Sequence, residues 1–241
     1  MESRDGARPD RSALTDRVYE VLKTRILELT LPPDTRLQVG KIAEEFDVSA
    51  TPVREALNRL AAEHLVAGAA YRGFSVSPVL GRQELVQLLQ ARLVVERAAA
   101  SRAAEVRDEA ALERLGELVT RMEKLVDAPV LDVMAFNAAD QAFHQGVVEA
   151  SGNPFLVQAF DSLHVHVQIA RFYEGESGGH GQHANVEHQR LLKALVSGDA
   201  EAAAAEVDTH IADVFGRLEA EIAAGEESTT GPRAGQPAPQ T

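Results

Sequence analysis

The sequence predicts a mostly α-helical protein with two domains, and three observations support this prediction. Apolar residues recur at helical spacing along most of the chain, three such segments precede two short β segments near the N-terminus, and no convincing strand pattern follows Pro78. The predicted limits are a disordered N-terminus at residues 1–11, a first domain at 12–78, a helical domain at 79–224 and a disordered tail at 225–241.

The first domain begins with three predicted helices. Helical spacing of apolar residues covers residues 14–29, and a second, shorter helix covers residues 39–46. Ser49 or Thr51 is placed to cap a third helix. Pro52 falls in the first turn of that helix, where a missing backbone N–H costs nothing.

Two short β segments complete this domain. They are Leu65-Val66-Ala67 and Gly73-Phe74-Ser75-Val76, joined by a turn that contains Tyr71 and Arg72. Three helices followed by a small hairpin form the pattern of a winged helix-turn-helix. The third helix is then the one that would enter the major groove of DNA.

The second domain is predicted to be an all-α helical bundle. After Pro78 the chain is rich in Ala, Leu, Glu and Arg. A clear break occurs at Ser151-Gly152-Asn153-Pro154, because glycine suits a helix end and proline suits the first turn of the next helix. The predicted helices lie near residues 81–106, 108–126, 130–150, 154–173, 181–197 and 199–224.

Composition limits the class of protein and the kind of site. The 241 residues are enough for two domains, and 45% hydrophobic with 25% charged residues is ordinary for a folded globular protein. No apolar run has the length of a signal peptide or membrane helix, so we expect a cytoplasmic protein with no membrane partner. Without cysteine there is no disulfide, and any metal must be bound by histidines and carboxylates.

The net charge of −13 is concentrated in the second domain. Residues 1–80 hold 11 Lys and Arg against 12 Asp and Glu, whereas residues 81–241 hold 13 against 25. Phosphate binding depends on how charge is distributed and not on its total, so the nearly neutral first domain can still present a basic surface. The acidic half would repel DNA.

Several residues of the first domain have the properties of DNA contacts. A helix that enters the major groove needs short polar side chains at its start and an arginine that reaches base edges or phosphates. Other cations can bind the backbone, and a wing tip can reach the minor groove. The predicted contacts are Ser49, Thr51 and Arg54 on the third helix, Arg36 and Lys41 toward phosphates, and Arg72 with Gly73 at the wing.

A long run of this domain resembles the GntR family of repressors. The resemblance covers Ile42 to Leu60 (IAEEFDVSATPVREALNRL), then Leu65-Val66 and Arg72-Gly73-Phe74-Ser75-Val76. It implies a homodimer on an inverted-repeat operator of double-stranded DNA, with the recognition helix in the major groove and wing residues in the minor groove.

The chain departs from the usual GntR pattern at two positions. The family usually has arginine where this chain has Ala50, and glycine where it has His64. The first difference removes one base or phosphate contact, which bears on the operator sequence and leaves DNA binding itself in place. Glu55 is expected to form a structural ion pair, without touching DNA.

Four residues of the second domain form a candidate metal site. Asp140 and His144 are four apart on a predicted helix, so both project from one face. His188 and His210 lie on two later helices. One carboxylate and three imidazoles suit a divalent first-row metal ion, and Zn²⁺, Ni²⁺ and Mn²⁺ all remain open.

Residues 85–220 resemble the FCD ligand-binding domain of the FadR subfamily. The matching segments are Arg92-x-x-x-Glu96, Asp140-x-x-Phe143-His144, Ser151-Gly152-Asn153-Pro154, Glu187-His188 and the late His210 after Gly198-Asp199-Ala200. In metal-binding members of that family, the positions of Asp140, His144, His188 and His210 are the ligands. The resemblance also implies an effector pocket beside the metal, often for a small organic acid.

Two further residues are candidates for binding that effector. Arg92 points inward from the first helix of this domain and would pair with a carboxylate. Its alternative role is an intrahelical ion pair with Glu96 at i+4. Asn137, one turn before Asp140, would line the pocket or orient a ligand.

The sequence therefore predicts a ligand-responsive, DNA-binding regulator, and two alternatives stay open. One is a metalloenzyme whose Asp/His₃ site activates water, although His-Glu-x-x-His and di-iron motifs are missing from the sequence. The other is a DNA-binding protein whose metal is purely structural, with no effector.

Overall fold

The computed structural model describes residues 11–69, 73–164 and 178–230. Within it, the chain divides into two compact units, with the main boundary between Leu80 and Gly81. The predicted wing turn, residues 165–173 of one predicted helix, most of the predicted N-terminal segment and residues 231–241 of the predicted tail lie outside the described residues. No helix in the described ranges is long and apolar enough to cross a membrane.

The first unit contains three helices and a small sheet. Its helices are α1 (Arg11–Leu27), α2 (Val39–Phe46) and α3 (Ala50–Ala62), and its strands are β1 (Arg36–Leu37), β2 (Val66–Ala69) and β3 (Gly73–Val76). All pairs are antiparallel, and β3 lies between β1 and β2. The predicted winged helix-turn-helix is confirmed.

One apolar core holds this unit together. Buried apolar residues of all three helices and of the sheet form one cluster, with α1 packed mainly against α3 and α3 against β2. The core includes Val18, Leu22, Ile26, Phe46, Val53, Leu57, Leu60 and Val76. Each such buried side chain contributes about 1.5–3 kcal/mol relative to exposure.

Strand β1 was not predicted from the sequence. It has only two residues, with Arg36 opposite Ser75 and Leu37 opposite Phe74. A two-residue strand has no periodicity to detect, and its pairing depends on a partner almost 40 positions away along the chain. It places Leu37 in the core and leaves Arg36 exposed.

Helices are the only regular elements among the described residues of the second unit. Its helices are α4 (Arg82–Val106), α5 (Glu109–Val126), α6 (Val133–Ala150), α7 (Pro154–Leu163), α8 (Gly178–Ser197) and α9 (Ala200–Thr230). Helix α4 packs against α9 and α6, and α5 packs against α6 and α8. Helices α8 and α9 pack against each other. The predicted all-α bundle is confirmed.

Local capping explains where two of these helices begin. The side chain of Asp108 accepts a hydrogen bond from the backbone N–H of Ala111 at the start of α5. Asp132 does the same for Ala135 at the start of α6. Such caps satisfy N–H groups that have no intrahelical acceptor.

Two predicted helix ends are corrected by the structure. The helix predicted for 154–173 ends at Leu163, because His164 has a φ of 46°, a left-handed conformation that cannot continue the helix. The last helix was predicted to end at 224 but continues to Thr230. Gly225 inside this helix costs only about 1 kcal/mol, which does not end a helix by itself.

Candidate functional site

Helix α3 presents one polar face to solvent. Its buried face carries Val53, Ala56, Leu57 and Leu60. The opposite face exposes Thr51, Arg54 and Asn58. Ser49 occupies the N-cap position, but its side chain makes no capping hydrogen bond, so its exposed hydroxyl stays available to another partner.

The cations of the first unit fall into two groups. Arg25 pairs with Glu45 and Arg59 with Asp16, each at 2.6 Å. Arg36, Lys41 and Arg54 are exposed, and within the described residues none of them forms an ion pair or a side-chain hydrogen bond. The three cations predicted to contact DNA are therefore not neutralised by neighbouring carboxylates.

Gly73 and Arg72 are the two contacts predicted at the wing, and Glu55 lies on α3 itself. Gly73 begins β3 with a φ of 82°, a conformation that favours glycine, and it is exposed. Arg72, the predicted wing contact, lies outside the described residues. Glu55 was expected to form a structural ion pair, and the structure shows its Oε2 accepting a hydrogen bond from the hydroxyl of Thr15 at 3.0 Å. That contact joins α3 to α1.

The four candidate metal ligands come together in the second unit. Asp140 and His144 lie on α6, His188 on α8 and His210 on α9. The three histidines are buried, and their nearest ring nitrogens all lie within 4.8 Å of one another. The side chain of Asp140 is 20% exposed.

Two of three short distances inside this cluster match those between ligands of one ion, and the third is slightly longer. Nε2 of His188 lies 3.2 Å from Nε2 of His144 and 3.3 Å from Oδ1 of Asp140, and Nε2 of His144 lies 3.9 Å from Oδ1 of Asp140. Ligand atoms about 2.0–2.2 Å from one metal lie about 3–3.5 Å from each other. Nε2 of His210 is buried and has no hydrogen-bond partner among the described residues. The residues present therefore fit a divalent cation.

Arg92 and Glu96 form a buried ion pair next to His144. Both side chains lie on the inward face of α4, and Arg92 Nε is 2.5 Å from Glu96 Oε1. Oε2 of Glu96 lies 2.7 Å from Nδ1 of His144. Burial disfavours the charge on Glu96, but Arg92 and His144 outweigh it and hold the pKa of Glu96 well below its ordinary value.

Burial determines the charge of two of the histidines. It lowers the pKa of His144 to about 4, despite the attraction of Glu96, and it lowers the pKa of His188 well below the ordinary value. Both imidazoles are therefore neutral near pH 7. Neutral imidazole is the form that binds a metal.

A second ion pair, which the sequence did not indicate, lies next to His210. Both oxygens of Glu187 contact Arg217, at 2.7 Å and 3.1 Å. Oε2 of Glu187 also lies 2.6 Å from Nδ1 of His210. Burial opposes the charge of Glu187, yet these partners lower its pKa. Arg217 follows His210 by seven residues, two helical turns, and that spacing was the available signal.

The two candidate effector residues have different environments in the structure. Arg92 forms the ion pair with Glu96 that its sequence spacing allowed, but its buried Nη2 has no hydrogen-bond partner among the described residues. That donor remains available to a ligand oxygen. Asn137 is half-buried on α6, one turn before Asp140.

A helix-turn-helix unit joined to a helical unit with a polar buried centre defines the class of DNA-binding transcriptional regulators. Two family descriptions match: "Bacterial regulatory proteins, gntR family" over residues 14–76 and "FCD domain" over residues 87–213. The chain belongs to the GntR family of bacterial regulators and carries an FCD domain. It is a transcriptional regulator and not an enzyme, so the metalloenzyme alternative is wrong.

Individual relatives agree with this family. The chain is 30% identical over 210 residues to an uncharacterized HTH-type transcriptional regulator in an unstable DNA locus of Streptomyces ambofaciens, covering 84% of each chain. It is 28% identical over 202 residues to the HTH-type transcriptional regulator LutR of Bacillus subtilis, covering 76% of this chain and 90% of the other. The solved structure of Escherichia coli McbR/YncC is similar in fold, with a TM-score of 0.71, 24% identity and coverage of 87% and 98%.

Proposed function

We propose that this regulator binds an inverted-repeat operator as a homodimer, acts as a repressor, and responds to a small organic acid beside a divalent metal ion. The observation that carries the proposal is the buried cluster of Asp140, His144, His188 and His210. Three elements of the bundle, α6, α8 and α9, supply its members, so an ion there would connect these helices.

The metal would be held by three imidazoles and one carboxylate. This mixed donor set fits Zn²⁺, Ni²⁺ and Mn²⁺. Its chemical contribution when bound would be to coordinate an oxygen of the acid. Asp140 is the only one of the four ligands with substantial solvent exposure, so an effector would approach the centre from its side.

Arg92 is the proposed partner of the effector carboxylate. Its Nε is committed to Glu96, and its unpartnered buried Nη2 is the donor that a carboxylate oxygen would accept from. Asn137 would line the same pocket. Because Arg92 also contacts Glu96, and Glu96 contacts His144, an acid bound there would act on the metal ligands through a chain of hydrogen bonds.

For DNA binding we propose the exposed residues of the first unit. Ser49, Thr51 and Arg54 would enter the major groove, Arg36 and Lys41 would bind phosphates, and Arg72 with Gly73 would reach the minor groove. The support is that Arg36, Lys41 and Arg54 are exposed and unpaired within the described residues, whereas Arg25 and Arg59 are neutralised.

Native mass spectrometry of the purified protein tests this proposal in one measurement. We expect a dimer that retains one divalent ion per chain, and we expect His210→Ala to lose the ion. His183→Ala, which removes an exposed histidine of α8, is the matched control and should keep it. A wild-type protein that takes up no Zn²⁺, Ni²⁺ or Mn²⁺ after dialysis against each would overturn the metal centre.

The alternative without an effector also has support in the structure. The three histidines are buried and Arg92 is already paired, which suits a purely structural ion. Gel-shift titrations with a panel of monocarboxylic, hydroxy and dicarboxylic acids separate the two cases. If no acid changes operator affinity while the metal stays bound, the structural alternative is correct.

A further inference from the structure

We propose that Glu96 and Glu187 are positioning residues of the metal centre. Each carboxylate would hold one ligand histidine with a proton on Nδ1, so that the lone pair of Nε2 faces the ion, and each carboxylate is itself anchored by an arginine. This inference deepens the metal centre proposed above and rests on it.

The first set of contacts runs from α4 to α6. Arg92 binds one oxygen of Glu96 at 2.5 Å, and the other oxygen lies 2.7 Å from Nδ1 of His144. An ionised carboxylate only accepts hydrogen bonds, so Nδ1 of His144 must be the donor. Nε2 of His144 then carries the lone pair, and it is the nitrogen that lies 3.2 Å from His188.

The second set of contacts repeats this arrangement between α8 and α9. Arg217 binds both oxygens of Glu187, and Oε2 of Glu187 lies 2.6 Å from Nδ1 of His210. By the same argument, Nδ1 of His210 donates and Nε2 carries the lone pair. That Nε2 is buried and has no partner among the described residues, as expected of a nitrogen whose lone pair would bind a metal ion.

The two sets are built from different parts of the chain. In the first, the arginine and glutamate share one helix and the histidine lies on another. In the second, the arginine and histidine share a helix and the glutamate lies on another. The same Arg–Glu–His order therefore arises twice from unrelated sequence spacings, which points to a shared task.

Stability alone is a weak explanation for these buried ion pairs. Removing arginine and glutamate from water costs free energy that their attraction only partly returns, and apolar residues of similar size would often stabilise the fold as well. Orientation of a metal ligand is a task that apolar residues cannot perform. Carboxylates that fix the ring and tautomer of a ligand histidine typically raise metal affinity 10- to 100-fold.

His188 provides an internal comparison. Its Nε2 faces the cluster, but its buried Nδ1 has no hydrogen-bond partner among the described residues. No carboxylate of the described chain holds its Nδ1, and a carboxylate oxygen, Oδ1 of Asp140, instead lies 3.3 Å from its Nε2. In the metal-free protein we expect Nδ1–H tautomers for His144 and His210 and the opposite, Nε2–H tautomer for His188, because its Nε2 faces the lone pair of His144 and Oδ1 of Asp140. This difference can be measured without any metal.

The test uses full-length, metal-free protein with ¹⁵N-labelled histidine, and long-range ¹H–¹⁵N correlation spectra report the tautomer of each ring. In the wild type, His144 and His210 should be Nδ1–H tautomers. In Glu187→Leu, His210 should populate both tautomers, and Zn²⁺ affinity should fall about 10- to 100-fold. Glu187→Gln keeps an oxygen acceptor, so it should preserve the tautomer and lose less affinity.

Glu206→Leu is the matched control. It removes another α8–α9 ion pair, that of Arg190 with Glu206 at 3.2 Å, which involves no histidine. It should leave the His210 tautomer and Zn²⁺ affinity unchanged. An Nε2–H tautomer for His210 in the wild type would overturn the proposal, and so would a Zn²⁺ affinity unchanged in both Glu187 variants.

The result also separates this inference from the proposed metal centre. A wild type that binds no metal but shows both Nδ1–H tautomers would refute the centre and leave the hydrogen-bond assignment intact. If the wild type and Glu187→Leu bind Zn²⁺ with equal affinity, only the positioning role is refuted. If Glu187→Leu does not fold, the wild-type spectrum and Glu187→Gln still decide between these outcomes.

Discussion

Nε2 of His144 lies 3.2 Å from Nε2 of His188, deep inside the second unit. Two neutral imidazoles cannot both direct lone pairs at each other at this distance without repulsion, so either one nitrogen carries a proton or a cation lies between them. The contact of His144 with Glu96 assigns the proton of His144 to Nδ1. The contact is therefore stabilised either by an Nε2–H group of neutral His188, which donates to His144, or by a metal ion between the two nitrogens.

This relationship predicts that metal stabilises the fold. An ion that binds only the folded state adds about 2.7 kcal/mol at a free concentration 100 times its Kd, which raises the Tm of a chain of this size by roughly 5–11 °C. Thermal unfolding of chelator-treated protein, with and without Zn²⁺, measures the shift. His210→Ala should show little shift, and an equal shift in that variant would remove His210 from the site.

The exposed arginine of α3 gives the sharpest test of the DNA surface. Arg54→Ala should weaken operator binding by about 1–3 kcal/mol, roughly 5- to 150-fold, because it loses a base or phosphate contact. Arg59→Ala is the matched control on the same helix, since Arg59 is already paired with Asp16. Fluorescence anisotropy with operator DNA compares them, and equal losses in both variants would contradict the proposed recognition surface.

Gly73 tests the conformation of the predicted wing. A Cβ at this position would contact nothing within 4 Å, so any effect of Gly73→Ala comes from its φ of 82°. That strain should cost about 1–2 kcal/mol of unfolding free energy. Gly40→Ala is the control, because Gly40 lies inside α2 with equally open surroundings and should gain about 0.5–1 kcal/mol. Urea unfolding of both variants decides whether the two effects have opposite signs.

Dimerisation gives a further prediction. One winged helix covers too little DNA for tight specific binding, so two copies should occupy two half-sites of an inverted repeat. Residues 1–80 have their own apolar core and should fold as a fragment, but bind operator much more weakly than the full chain. Sedimentation and gel shifts on one and two half-sites test this. A monomeric fragment with full operator affinity would contradict it.

Sequence periodicity predicted most of the architecture, because α2, α3 and α5 each bury one apolar face and side-chain caps mark the starts of α5 and α6. The i+4 spacing of Asp140 and His144 indicated two of the four candidate metal ligands, and the resemblance to the FCD domain implied the full set with His188 and His210. Periodicity did not predict β1, whose pairing is long-range and only two residues long. The contacts of Glu187 with Arg217 and His210 were also missed, because they join two helices and appear only once those helices are packed.

The effector response is the prediction that connects the two units functionally. An acid can change DNA affinity only if it binds the DNA-competent and DNA-incompetent states with different affinity, and typical coupling is about 1–3 kcal/mol, or 5- to 150-fold. The measured quantity is the ratio of operator affinities with and without an active acid from the panel. We expect His210→Ala to reduce that ratio to about one, because the acid loses the metal that coordinates it.

His183→Ala provides the control for this experiment, since it removes a histidine of α8 that is exposed and outside the buried cluster. It should keep both the metal and the wild-type ratio. Metal content measured on the same samples separates two failures. A His210→Ala protein that keeps its metal would remove that residue from the centre, whereas a metal-free protein with the wild-type ratio would show that the acid is sensed without the ion.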